Sequence, residues 1–163
     1  MANVPTVIVD IAAWGVIHAG TGYLVHRLGD RRFDHDTVLT HARRFERDGR
    51  SYERLAIRRW KDRLPEAGDT FAGGVSKRSM QGRDDADLRL FAVETRRAEL
   101  GHLLAAVASP VFFIWNTVPV SVAMVVYGIA VNAPFIAIQR YNRLRISRVL
   151  ARRSRTSASS RRA

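Results

Sequence analysis

The stretch ETRRAELGH, Glu94 to His102, places two carboxylates and an imidazole at the edge of a long apolar segment. Thr95, Glu99 and His102 are spaced i, i+4, i+7, which puts them on one face of a helix. A carboxylate beside a histidine suits general base catalysis. The histidine removes a hydroxyl proton while the carboxylate orients the ring and stabilises the imidazolium. Burying both groups in hydrocarbon is costly unless they are paired, and such residues are rare in membranes without a task. A charged helix-end collar with snorkelling Arg96 and Arg97 is the plainer alternative. Glu94 and Arg97 form a neighbouring stripe and can pair at i, i+3. Glu99 and His102 are the candidate catalytic residues.

A second polar group closes the apolar segment in NAPFIAIQRYNRLRIS. Asn132 and Pro134 lie among apolar residues, and Pro134 leaves a helical carbonyl without its amide partner. Gln139, Arg140, Tyr141, Asn142, Arg143 and Arg145 follow at the expected interface. Tyrosine and arginine are usual there as belt and anchor; Gln and Asn are less so.

These residues need helices to hold them. Residues 100 to 139 contain no Asp, Glu, Lys or Arg. As helix this run is long enough to cross a hydrocarbon core of about 30 Å twice. Pro119 and the WNTVP stretch supply a turn near its middle. Val4 to Val25 contains a single charge, Asp10, and lacks the basic start and small-residue cleavage site of a signal peptide. The expectation is an all-α integral membrane protein with about three transmembrane helices, at 4–26, 95–115 and 118–139, within a single membrane domain of residues 1–150. In the resulting hairpin, the start of the second span and the end of the third meet at one membrane face. Asp10, Trp14, His18, Gly22 and His26 recur every four residues as a polar-tolerant stripe on the first span.

All 27 basic residues lie at or beyond Arg27 in a chain of 163 residues and net charge +12. From Arg140 onward there are nine arginines and no acid. The positive-inside rule therefore puts the 27–94 loop and the C-terminus in the cytoplasm and the N-terminus outside, in the cell membrane. The tail, residues 151–163, is Ser- and Arg-rich and is expected to be disordered, anchored electrostatically on anionic lipid. Without a basic patch interleaved with aromatics, nucleic acid is not an expected partner.

Within the loop, DTVLTHARRFERDG predicts a helix capped by Asp36, with Val38, Ala42 and Phe45 on one face and a stop near Gly49. SYERLAIRRWKDRLPEAG predicts a second, capped by Ser51, with Tyr52, Leu55, Ala56 and Trp60 on one side. Either they lie on the membrane surface or they pack on one another. His41 and Glu46 repeat the His-x4-acid pattern of several acyltransferases but sit on a basic surface helix, and count as coincidence. DTFAGGVSKRS is not a P-loop, although Lys77 follows a glycine pair that could cradle a phosphate. There is no cysteine, hence no disulfide, no thiolate metal site and no cysteine acyl-enzyme. The five histidines form no HExxH-like pair, so no metal site is expected.

ETRRAELGH followed by NAPFIAIQRYNRLR resembles the glycosyl-4,4'-diaponeurosporenoate acyltransferase family, small bacterial membrane proteins of staphyloxanthin-type carotenoid biosynthesis. RRWKDRLPEAG, Arg58 to Gly68, is similar to a further segment of that family. The likeness covers roughly residues 45 to 150. It implies transfer of a fatty acyl group to a sugar hydroxyl of a glycosylated, membrane-dissolved terpenoid or another glycolipid. By motif match it carries over Glu94, Arg97, Glu99, His102, Asn132, Gln139, Arg140, Tyr141, Asn142 and Arg143. Glu94, Arg97, Asn132 and the Gln139–Arg143 group are then expected to bind substrate. Leu103 stands where the family would have Trp, and Ala133 and Phe135 depart within the Asn-Pro motif, which bears on the acceptor. No cofactor is expected beyond the acyl donor, an acyl-CoA or acyl carrier protein. Arginines such as Arg140, Arg143 and Arg145, with Lys77, would hold the donor's phosphates. Two other readings stand beside this one: a non-catalytic membrane subunit, and a glycolipid-binding carrier.

Overall fold

The structure is a computed structural model that describes residues 4–64 and 84–160. Lys77 and the glycine pair before it lie outside the described residues. Among those described there is no strand. The described residues form five α-helices: α1 (Val4–Arg27), α2 (Arg50–Arg54), α3 (Ile57–Trp60), α4 (Asp85–Ala108) and α5 (Val118–Ser160). Short 3-10 turns cover Asp30–Arg32, Arg44–Gly49, Lys61–Arg63 and Ser109–Ile114. Three helical stretches, Val4–Arg27, Asp85–Ile114 and Val118–Ser160, are long and apolar enough to cross a membrane. Each expected span lies within one of them, apart from the last residue of 95–115. Pro5 and Pro119 sit in first turns and Pro110 at the start of the Ser109–Ile114 turn, where helices tolerate proline, whereas Pro134 lies inside α5.

The chain forms two compact units, Met1–Gly29 with Arg97–Ala137, and Asp30–Arg96 with Ile138–Ala163. The first is built for lipid. Its buried residues include Asp10, Glu99, Ser109, Ser121 and Asn132 beside Val25, Ala105 and Phe112. Val4, Ile11, Val16, Val107, Ile114 and Val118 are all more than 60 % exposed. Polar groups inside and aliphatic groups outside suit a solvent as apolar as the side chains themselves. Asp10 accepts hydrogen bonds from Trp115 Nε1 and Asn116 Nδ2, both at 2.8 Å, and so ties α1 to the turn before α5. Trp14 of the same stripe packs on Phe112 and Tyr127, with ring centroids 5.0 and 5.4 Å away.

The second unit has a conventional apolar core. Leu88, Phe91 and Ala92 of α4 pack with Ile146 of α5, and Leu150 joins them. The spacings i, i+3, i+4 on α4 and i, i+4 on α5 give each helix one apolar stripe.

Three expectations need correction here. The helix predicted from Asp36 does not form before Arg44. Thr37 and Thr40 bond each other's backbone instead, with Thr37 N–H to Thr40 Oγ1 at 2.9 Å. Such local side-chain bonds compete with helix, and arginines from α5 claim the carbonyls of Leu39 and Thr40. The predicted face is not packed: Val38 is 83 % and Phe45 73 % exposed. The second loop helix is broken at Ala56, whose φ of 51° is left-handed. Tyr52 and Ile57 are therefore the buried residues, while Leu55 is exposed. Finally, the tail is not disordered through residue 160, because α5 continues to Ser160. Leu150 anchors it, Arg and Ala favour helix, and the Ser154, Thr156 and Ser157 hydroxyls bond carbonyls of the preceding turn.

Candidate active site

His102 is half-buried on α4, and Asn132 is fully buried on α5. Their side chains meet, with His102 Nδ1 2.9 Å from Asn132 Oδ1. The direction of this bond follows from the rest of the amide. Asn132 Nδ2 lies 2.8 Å from the Gly128 carbonyl, which can only accept. The amide oxygen must then face the histidine, so Nδ1 carries the proton and donates it. A neutral His102 consequently presents an unprotonated Nε2. That is the tautomer a general base requires.

Gly128, Asn132 and Phe135 fall at i, i+4, i+7 on α5, one stripe of the helix. Phe135 stacks on the His102 ring at 4.7 Å and 10° between planes. Gly128 lets the helix come close. A Cβ there would stand 2.6 Å from a Trp14 ring carbon and 2.9 Å from Ser109 Cβ. Glu99 is fully buried three residues before His102 on α4. The expected catalytic pair is thus placed in the membrane-type unit, and Asn132 is a direct partner of the imidazole.

In the other unit, Glu46 is almost wholly buried and is the centre of a latch. It accepts from the Tyr52 hydroxyl, from the Arg43 amide and from Arg140 Nη1 at 2.9 Å. Arg140 also donates to the Leu39 carbonyl at 2.8 Å, and Arg143 to the Thr40 carbonyl. Asp36 adds two contacts, to Arg96 at 2.6 Å and to Arg143 at 3.4 Å. Burial pushes the Glu46 carboxyl upward, but its bonds to Tyr52, Arg43 and Arg140 outweigh this and hold it below the usual carboxylate range. Burial and the adjacent Glu46 carboxylate push the Tyr52 hydroxyl upward.

Arg140 and Arg143, expected to hold substrate phosphate, therefore bind the loop that precedes α2. Tyr141 is fully buried; its hydroxyl accepts from Arg58 Nε at 3.0 Å, and Arg145 lies over its ring. Gln139 and Asn142 are buried, and Gln139 Oε1 has no hydrogen-bond partner among the described residues. Glu94 and Arg97 are half-buried on α4. No group of His, Asp and Glu that could hold a metal ion occurs among the described residues.

The sequence undervalued Glu46, Tyr52, Asp36, Thr40 and Arg96. The one signal for Glu46 was its spacing from His41. The bonds to Glu46 come from Tyr52, Arg43 and Arg140 instead, and the last of these is 94 residues away.

Residues 34–152 match the family model described as "Glycosyl-4,4'-diaponeurosporenoate acyltransferase". Curated proteins of that name from Staphylococcus aureus are similar. Those of strains bovine RF122 / ET3-1 and USA300 are each 27 % identical over 140 residues, covering 84 % of this chain and 83 % of theirs. The protein of strain N315 is 24 % identical over 138 residues. No solved structure matches the chain significantly. With the family model spanning well over half of its residues, the chain belongs to the glycosyl-4,4'-diaponeurosporenoate acyltransferase family.

Proposed function

We propose that the protein is a membrane acyltransferase that moves a fatty acyl group from an activated thioester donor to a sugar hydroxyl of a glycosylated carotenoid, or of a related glycolipid. The observation that carries this reading is the His102–Asn132 bond, which in a neutral imidazole places the proton on Nδ1. His102 Nε2 takes the proton of the sugar hydroxyl as its oxygen attacks the thioester carbonyl. The tetrahedral intermediate collapses, the carbon–sulfur bond breaks, and the imidazolium returns the proton to the departing thiolate. Glu99 stabilises the imidazolium while it exists, and Asn132 holds the ring. With no cysteine in the chain, transfer is direct rather than through a cysteine acyl-enzyme.

Gln139 and Asn142, buried amides beside the first charges of α5, and Glu94, Arg97 and Tyr141 are candidates for binding substrate on the motif resemblance alone. The loop and the end of α5 lie in the cytoplasm, as the arginine excess favours. The exposed Val38, Leu39, Phe45 and Leu55 then rest on the lipid surface. The acceptor enters sideways from the bilayer, and the donor, an acyl-CoA or acyl carrier protein, from the cytoplasm.

Lipid profiling of a deletion strain by mass spectrometry tests the reading. Accumulation of a glycosylated species lacking one acyl chain, reversed by the wild-type gene, is expected. An unchanged lipidome would leave a non-catalytic subunit or carrier as the better description.

A further inference from the structure

Arg145, Arg148, Val149 and Arg152 lie at i, i+3, i+4 and i+7 on α5, and together with Arg58 of α3 they line a cleft of about 280 Å³. Arg58 is committed to Glu53 at 2.6 Å and to Tyr141. Arg145 lies over the Tyr141 ring, with its guanidinium carbon 5.6 Å from the centroid. Neither it nor Arg148 nor Arg152 has a carboxylate partner among the described residues. Four guanidiniums thus face one concavity with a single carboxylate among them. Like charges one turn apart destabilise a helix, so the arrangement gains from an anion seated in it.

Position narrows the choice of anion. Arg140 is the first charge after the apolar run of α5. At 1.5 Å per residue, Arg145 and Arg152 lie about 7.5 and 18 Å farther along the axis. The head-group zone adds only about 5–7 Å on each side of the hydrocarbon. Arg58 and Arg145 reach back to Tyr141, but the Arg148–Arg152 end of the cleft lies beyond the outer edge of the head groups, where a water-soluble ligand is reached more readily than a lipid phosphate. Its concavity suits a small polyanion better than the flat acidic face of a carrier protein. Guanidiniums both fork onto phosphate oxygens and stack on planar bases.

We propose that this cleft binds the phosphate-bearing nucleotide end of the acyl donor, which makes that donor a coenzyme A thioester. The word donor rests on the acyltransferase reading; the anion site does not.

The full-length protein in phosphatidylcholine nanodiscs, without acceptor, is titrated with coenzyme A and with inorganic phosphate. Wild type binds coenzyme A more tightly than phosphate, and R148Q/R152Q weakens coenzyme A binding about tenfold, the loss expected for charge-assisted contacts. R148K/R152K, which keeps the charge and controls for folding, weakens it less. No binding by the wild type, or equal binding by R148Q/R152Q, overturns the inference. So does displacement of coenzyme A by phosphatidylglycerol in the disc, which assigns the cleft to lipid, or transfer from acyl carrier protein alone. Acyl transfer that persists without coenzyme A binding removes this inference and leaves the functional reading. Coenzyme A binding by a wild-type protein that transfers no acyl group does the reverse.

Discussion

His102 Nδ1 and Asn132 Oδ1 lie 2.9 Å apart, joining two helices across 30 residues of sequence. Because the other end of the Asn132 amide donates to the Gly128 carbonyl, the bond also selects the histidine tautomer. In the proposed mechanism Asn132 is a positioning residue. Replacing it by Ala should lower kcat about tenfold to a hundredfold, as for other small misplacements of a base. A purely structural role would leave the pH profile of kcat/KM unmoved. Loss of the Nδ1 acceptor should instead shift the limb that reports the histidine.

Gly128 sets how closely α5 approaches Trp14 and Ser109. Gly128→Ala would drive a Cβ to within 2.6 Å of the Trp14 ring, and something must move. Thermal unfolding in detergent should show a destabilisation of about 1–3 kcal/mol, the usual cost of overpacking. The Trp14 fluorescence environment should change with it. An unaltered transition would mean that the helices are not packed this tightly.

The Glu46 latch makes a prediction about pH. The folded Glu46 carboxyl lies below its ordinary value of 4.5, so its contribution is fully present above about that pH and is lost as pH falls through the folded value. Tyr52 is shifted up from its ordinary value of 10, so its contribution is fully present below about pH 10 and is lost above it. Stability of the loop around Glu46, followed by hydrogen exchange at Thr40 and Tyr52, should therefore plateau between these limits. Glu46→Ala removes the buried carboxylate that accepts from Arg140, Tyr52 and the Arg43 amide and should cost about 3 kcal/mol. In E46Q the acid limb should disappear.

Two left-handed residues bracket α2. Gly49 has φ of 73° and admits Tyr141, whose ring carbon would stand 3.3 Å from an added Cβ. Ala56 adopts φ of 51° without being glycine. Gly49→Ala should destabilise and Ala56→Gly should stabilise, each by about 1 kcal/mol. Denaturation midpoints of the two variants, moving in opposite directions, check this.

The sequence made some of this legible. The uncharged run from 100 to 139 exposed the helical hairpin, since only a lipid-facing segment can be so long without charge. ETRRAELGH and NAPFIAIQRYNRLR marked His102 and Asn132 separately. Their pairing was hidden, because it depends on how two helices face each other, and Asn132 was expected to touch substrate. Arg140 and Arg143 were expected to hold phosphates for the same reason: a single sequence does not show which carboxylate a distant arginine will meet. Glu46 looked like a solvated acid on a basic helix. Tertiary bonds to the carbonyls of Leu39 and Thr40 suppress that helix and bury Glu46 instead. The tail composition pointed to disorder, while its helix is held by Leu150, a contact with no local signature.

The central claim is that His102 moves the proton in acyl transfer. Purified wild-type protein and His102→Gln, both confirmed as folded by circular dichroism, are supplied with a glycosylated carotenoid and an acyl thioester donor, and ester formation is followed by mass spectrometry. Wild type should form the acylated glycolipid, and His102→Gln should be slower by about 10²–10⁴-fold, the contribution of a positioned base. Transfer by the folded variant at the wild-type rate would contradict the account.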